Sequence, residues 1–307
     1  MAASYKKQKD LTSISWGWNT FFLVLLVFFV LITVAPVVLL ISISFSSTRS
    51  LSTRGYAFIA TEWSVEGYKY LFELGDQLWR SYLVSFEFAG FGTALSLFVM
   101  SLYAYVLYQR NFPWKKLYTW FMFIPMIFSG GLVPAYILHT RYLHLNDTFP
   151  LLLITGMFSG FSVVILRTFM RTEVPESLLE SARIDGAGYF RIYFSIVMPL
   201  MKAGIATVGL FGFVDRWNNW FTGLLYMEKP SLIPLQTLLW RLQANVDFLV
   251  NNSGQLQGPE AMELLLNLPR TNLIMACTVA AVVPVLFVYP FFQRYFVQGL
   301  LVGSLKE

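Results

Sequence analysis

The residues able to do chemistry in this chain are few, and they stand in apolar surroundings. Asp215-Arg216-Trp217-Asn218-Asn219-Trp220 gathers a carboxylate, a guanidinium, two amides and two indoles, and Glu87 places a second carboxylate inside an apolar run. Ionisable groups in such a run are costly and by default face a cavity or a partner. Carboxylates, amides and an Arg fork hydrogen-bond hydroxyls, and indole rings stack on the apolar face of a sugar, which is the chemistry a polar path for oligosaccharide needs. On one helix Asp215, Asn218 and Asn219 share a face, with Arg216 and Trp220 on a neighbouring one. A packing role stands beside this reading: Glu87 with Arg80 or Arg216 as an ion pair, and Asn218 as an interhelical hydrogen bonder. Other constellations are missing. His139 and His144 are five residues apart around Arg141, which is no metal spacing on a helix face. There is no H-E-x-x-H, no pair of intramembrane aspartates and no serine with a positioned histidine, and no Gly-Lys pair exists to build a phosphate-cradling loop. Neither a catalytic residue nor a bound metal or cofactor is expected.

These groups need elements that hold them in lipid. Of 307 residues, 56% are apolar and 13% charged, against about 25% charged in a soluble domain. The single cysteine, Cys277, lies in an apolar stretch and can form no internal disulfide. The net charge of +5 is spread along the chain, with no basic run beyond Lys6, Lys7 and Lys9, so nucleic acid is not an expected partner. Six segments reach the ~20 apolar residues of a spanning helix: about 18–45, 81–108, 117–138, 148–166, 203–226 and 273–296. The sequence is thus that of an all-α, polytopic protein of the cell membrane, a 1–17 tail followed by a six-helix domain over 18–307, with outer loops at 46–79 and 227–272. The N-terminus, the 109–116 loop, the 167–202 segment and the C-terminus together hold 13 of the 22 Lys and Arg residues, which places both termini in the cytoplasm.

The most specific stretch is the polar, amphipathic segment 172–200. Pro175 suits the first turn of a helix whose acidic groups favour its N-terminus, and Leu178 and Leu179 are available to bury. Gly186 and Gly188 should end that helix. A second stretch, Tyr189 to Val197, repeats Phe190, Tyr193, Phe194 and Val197 at three- and four-residue spacings, and Pro199 should stop it before the fifth span. A helix, a glycine turn and a second helix make a knob that would fit a cleft on a soluble partner. An amphipathic pair resting on lipid headgroups has the same pattern.

The spacing E-x-A-x3-G-x9-I-x-x-P, met by Glu180, Ala182, Gly186, Ile196 and Pro199, resembles the EAA signature of permease subunits of ABC importers. Arg183-Ile-Asp-Gly-Ala-Gly-Tyr-Phe-Arg-Ile192, Ala104-Tyr-Val-Leu-Tyr-Gln-Arg-Asn-Phe112 and Trp217-Asn-Asn-Trp-Phe221 resemble the carbohydrate-uptake branch of that family. The similarity spans roughly 80–300 and is nearest to maltose-permease-like components of Gram-positive oligosaccharide importers, including one for complex N-glycans. Ser181 stands where the signature has a second Ala, Met198 where Leu precedes the proline, and Ala203 where a proline often follows Lys202.

The resemblance implies a type I ABC importer permease fold and a non-catalytic subunit. Glu180, Ser181, Ala182, Arg183, Asp185, Gly186, Arg191 and Pro199 would form the coupling segment, seated on one of two separate ATPase subunits that carry ATP and Mg. A second homologous permease, in a heterodimer, and an extracellular sugar-binding lipoprotein would complete the complex, the latter meeting the 227–272 loop. Glu87, Asp215, Arg216, Trp217, Asn218, Asn219 and Trp220 would line the substrate path. The competing class is an ion-coupled secondary transporter with Glu87 and Asp215 as carriers, which would have no use for an ATPase-docking knob.

Overall fold

The computed structural model describes residues 16–251 and 270–304, the stretch 291–304 as backbone only. The basic residues Lys6, Lys7, Lys9 and Lys306 and the tip beyond Asn251 lie outside the described residues. Every regular element described is helical, and strand-type pairing among the described residues is limited to one bridge between Ser46 and Trp63.

The chain divides into two compact units, residues 1–70 with 266–279 and residues 71–265 with 280–307. In the first, α1 (Trp16–Ser44) is apolar on all sides and exposes nearly all of its length, while Ser42, Ile43 and Ser44 at its end are buried. The 46–79 stretch, read from sequence as a loop, contains α2 (Thr48–Arg54) and α3 (Glu66–Glu73). Ser47 starts α2 by accepting the Ser50 amide, and the Ser44 hydroxyl meets Tyr68 Oη at 2.9 Å. Asn272 donates to the Ser46 carbonyl at 3.2 Å, and a Cβ at Gly67 would stand 2.7 Å from the Asn272 carbonyl oxygen, so only glycine admits that approach.

The second unit is built around α4 (Asp76–Tyr108), which packs against α5 (Lys115–Ile127), α7 (Phe149–Ile154) and α8 (Gly160–Glu173), and against α11 (Lys202–Trp217). Between lie α6 (Leu132–Ile137), α9 (Glu176–Ile184) and α10, helical over Tyr189–Leu200. The chain continues through α12 (Phe221–Tyr226), α13 (Leu235–Asn251) and α14 (Arg270–Ser304). Apolar burial drives association weakly in lipid, so close backbone approach over small residues matters. Gly204 faces Phe169, and Gly160 faces Met126, each so closely that a Cβ would stand 2.6 Å from a side-chain atom.

Three described helices are long and apolar enough to cross a membrane unbroken: Trp16–Ser44, Asp76–Tyr108 and Arg270–Pro290. The other expected spans are broken. In the third, Lys115–Ile127 and Leu132–Tyr142 meet at 115° across Phe128-Ser-Gly-Gly131, where Gly131 takes φ 87°. In the fourth, α7 and α8 are separated by a stretch in which Gly156 takes φ 69°, and Ser159 caps α8 by accepting the Ser162 amide. The fifth begins at a corner, because Tyr189–Leu200 meets Lys202–Trp217 at 80°. Pro199 does not stop α10 as expected. The helix widens upstream, with the Met198 amide reaching the Tyr193 carbonyl in a π-turn, and breaks two residues later at Met201. The widening lets a residue without an N–H enter the helix.

Candidate functional site

The coupling segment is α9, a turn and α10. Pro175 is the residue before α9, and the helix closes at Asp185. Gly186 follows at φ 80°, a left-handed angle that side chains resist. The Gly186 amide donates to the Arg183 carbonyl at 3.0 Å and the Ala187 amide to the Ala182 carbonyl at 2.9 Å. These are the paired bonds of a Schellman cap, and Ala182 and Ala187 supply its apolar contact by packing into one core. Gly186 is therefore required for the turn; Gly188 has an ordinary negative φ of −71°.

The segment is stitched to the end of α4. Tyr193 is fully buried with its hydroxyl 2.7 Å from Ser101 Oγ. Tyr108 donates to the Val174 carbonyl at 2.9 Å and Tyr105 to the Tyr189 carbonyl at 3.3 Å. Arg183 donates to Gln109 Oε1, and Arg110 pairs with Glu176 at 2.9 Å. Leu179, Ile192 and Val197 are buried beneath, alongside Leu107, Leu166 and Met170. Of the residues repeated at three- and four-residue spacings in 189–197, Tyr193 and Val197 are buried together with Ile192, while Phe190 and Phe194 are exposed. The outer side of the knob is open, with Ile184 86% and Phe190 72% exposed beside exposed Glu180, Ser181, Arg183, Asp185, Arg191 and Pro199. Ala182 alone of the named coupling residues is buried.

The Asp215–Trp220 group does not lie on one continuous helix. α11 ends at Trp217, Asn218 is its C-cap, and α12 begins at Phe221. Asn219 Oδ1 accepts the Thr222 amide at 2.9 Å and so caps α12. Asp215, Asn218 and Trp220 are exposed and Glu87 is half-buried. Arg216 and Trp217 are buried and occupied. Trp217 Nε1 donates to the Ala281 carbonyl at 2.9 Å. Arg216 donates to Ser96 Oγ, to the Gly156 carbonyl at 2.9 Å and to the Gly212 carbonyl at 3.2 Å, while its Nε is buried with no partner. Arg216 thereby holds the break between α7 and α8 against α4 and α11. A Cβ at Gly92 would stand 2.7 Å from Arg216 Nε.

Two features beside this group carried little sequence signal. Trp240 of α13 stacks on Trp220 with centroids 5.1 Å apart and planes 10° off parallel, both rings partly exposed. On the adjoining loops Asp147, at φ 56°, accepts the amides of Glu228 at 3.0 Å and Lys229 at 2.9 Å, with the Lys229 ammonium 3.6 Å from its second oxygen. Partial burial raises the Asp147 pKa, but these two amides and the ammonium outweigh it and hold the carboxyl below its ordinary value. His139 hydrogen-bonds Tyr226 Oη at 3.2 Å.

The described residues thus form a helical membrane domain with a polar knob stitched to the end of its central helix. The fold agrees with that of a bacterial ABC transporter involved in import of the acidic polysaccharide alginate: the TM-score is 0.76 at 24% identity, over 96% of this chain and all of that one. Residues 11–302 match the family of binding-protein-dependent transport system inner membrane components, and the chain belongs to that family. Among its relatives in Bacillus subtilis, the polygalacturonan/rhamnogalacturonan transport system permease protein YtcP is 34% identical over 92% of this chain and 95% of its own. Protein LplC is 33% identical over 90% of each chain. The arabinooligosaccharides transport system permease protein AraQ is 28% identical over 79% of each. The chain is thus a multi-pass membrane component of a transport system that works with a binding protein, a non-catalytic role, and an ion-coupled carrier reading of Glu87 and Asp215 finds no support.

Proposed function

We propose that this chain is one of two permease subunits of an ATP-driven importer of oligosaccharides, and that Glu180–Pro199 is the surface on which an ATPase subunit acts. The observation that carries this reading is the exposed knob on a rigid base. Ile184, Phe190, Glu180 and Asp185 are exposed, while Tyr193, Tyr105, Tyr108, Arg183 and the buried apolar side chains tie the segment to the end of α4. A push on the knob passes into α4, and α4 packs on α11, which carries Asp215. The sugar class follows the relatives, whose names specify polygalacturonan/rhamnogalacturonan and arabinooligosaccharides.

In this reading six spans cross the cell membrane with both termini in the cytoplasm, the broken helices counting as bent spans. The exposed Asp215 and Asn218 and the half-buried Glu87, with the Trp220 indole, face the sugar. Arg216, Trp217 and Asn219 hold the backbone that presents them. The partners are a second homologous permease, two ATPase subunits binding ATP and Mg, and an extracellular sugar-binding lipoprotein. The test is uptake of radiolabelled oligosaccharide in cells carrying Glu180→Lys or Gly186→Pro. Both should abolish uptake while the protein stays in the membrane, and normal uptake by both would overturn the coupling role.

A further inference from the structure

Near the coupling segment, a groove of about 490 Å³ runs along α5, lined by Lys115, Lys116, Thr119, Trp120, Phe123 and Ile127. Lys116, Trp120, Phe123 and Ile127 are spaced i, i+4, i+7 and i+11, so they form one stripe along the helix. At 1.5 Å per residue the stripe is about 16 Å long, or half of a ~30 Å hydrocarbon core. It is cationic at one end and apolar over the rest, with Trp120, Phe123 and Ile127 exposed.

The cationic end is not neutralised by an ion pair among the described residues. Lys116 is exposed and has no carboxylate partner among the described residues. Lys115 donates to the Gln109 carbonyl at 3.0 Å, which leaves two of its three N–H groups. It stands near enough to Arg167 and Arg171 to feel their charges, and the carboxylate acting on it, Glu176, is engaged by Arg110 at 2.9 Å. Arg167 Nε is buried with no hydrogen-bond partner. The Thr119 hydroxyl donates to the Lys115 carbonyl at 2.7 Å, so the ammonium groups are the donors on offer. Uncompensated positive charge above a leaflet-deep apolar stripe is complementary to a lipid with an anionic headgroup.

We propose that this groove binds an anionic phospholipid, its phosphate on Lys115 and Lys116 and one acyl chain along Trp120, Phe123 and Ile127. The site rests on the chain being a membrane protein and is independent of the substrate it carries.

The test is native mass spectrometry of the transporter, purified whole in mild detergent and exposed to mixed micelles of equimolar phosphatidylglycerol and phosphatidylcholine. The wild type should retain phosphatidylglycerol in preference, and Lys115→Gln with Lys116→Gln should cut the preference roughly 10- to 30-fold. Arg49→Gln with Arg54→Gln, which removes two cations elsewhere, should leave it intact. Trp120→Ala should shorten retention while keeping the headgroup preference. Inorganic phosphate should fail to displace the lipid. Equal retention of the two lipids, an unchanged preference in the Lys115/Lys116 variant, displacement by inorganic phosphate, or retention by the lone chain that vanishes in the whole complex because another subunit covers α5 would each overturn the proposal.

Discussion

Uptake should fall in the order Gly186, Gly186→Asn, Gly186→Ala, Gly186→Pro, because the turn demands φ 80° at this position. A side chain with a Cβ costs about 1–2 kcal/mol in the left-handed region, and Asn tolerates it better than Ala. No atom lies within 4 Å of a Cβ built at Gly186, so the backbone angle and not crowding sets the penalty. For Ala, 1–2 kcal/mol lowers the ratio of formed to open knob roughly 5- to 30-fold. Proline is fixed near −65° and cannot take the angle, and it also removes the amide that donates to Arg183 at 3.0 Å, worth about a further 1 kcal/mol. The assay is initial-rate uptake normalised to membrane abundance by immunoblot, with thermal unfolding in detergent as a check on the helical body. Unchanged melting with graded loss of uptake is expected. Uptake by Ala equal to or above Asn, or a proline variant that transports normally, would refute the argument.

The tyrosine stitches should matter more than the surface ion pair: Tyr193→Phe leaves Ser101 without that partner and should cost about 1 kcal/mol, whereas Glu176→Gln, at an exposed bridge, should be near neutral in thermal melts. Two glycines on α4 separate packing from propensity: Gly92→Ala, pressing on Arg216, should cost about 1–3 kcal/mol, while Gly90→Ala, with no atom within 4 Å, should be neutral or stabilising. The Asp147 clip should show a signed pH dependence. Its carboxyl is held below the ordinary value, so the stabilisation is complete above the unfolded pKa of about 3.9 and is lost as pH falls through the lower folded value. Melting of wild type and Asp147→Asn should differ by a constant amount from pH 8 to 5 and converge below about pH 4. A gap that widens on acidification would contradict this.

Residues with a local rule behind them were legible in the sequence. Gly186 needed only the knowledge that a helix-ending glycine takes positive φ, and α1, α4 and α14 needed only length and hydropathy. What stayed hidden depended on partners far along the chain. Arg216 reads as a charge in a span and therefore as a path residue, yet its donors go to Ser96 and Gly156, 120 and 60 residues away. Asn218 and Asn219 invite a helical face, but two adjacent amides serve equally as end and start caps, and here the helix breaks between them. Pro199 signals a stop, and a π-turn upstream absorbs it. Hydropathy alone could not see that the third expected span bends beside Gly131 or that the fourth is interrupted around Gly156, because those glycines sit inside runs apolar enough to pass unbroken.

The central claim is that the Glu180–Pro199 knob seats an ATPase. It is tested most directly by tagging this chain, purifying it in mild detergent from its native membrane and identifying what accompanies it by mass spectrometry. A second six-span permease and an ATPase should co-purify with the wild type, and Gly186→Pro should lose the ATPase while keeping the permease. A chain that purifies without an ATPase at every salt concentration, or a Gly186→Pro variant that retains it in full, would contradict the account.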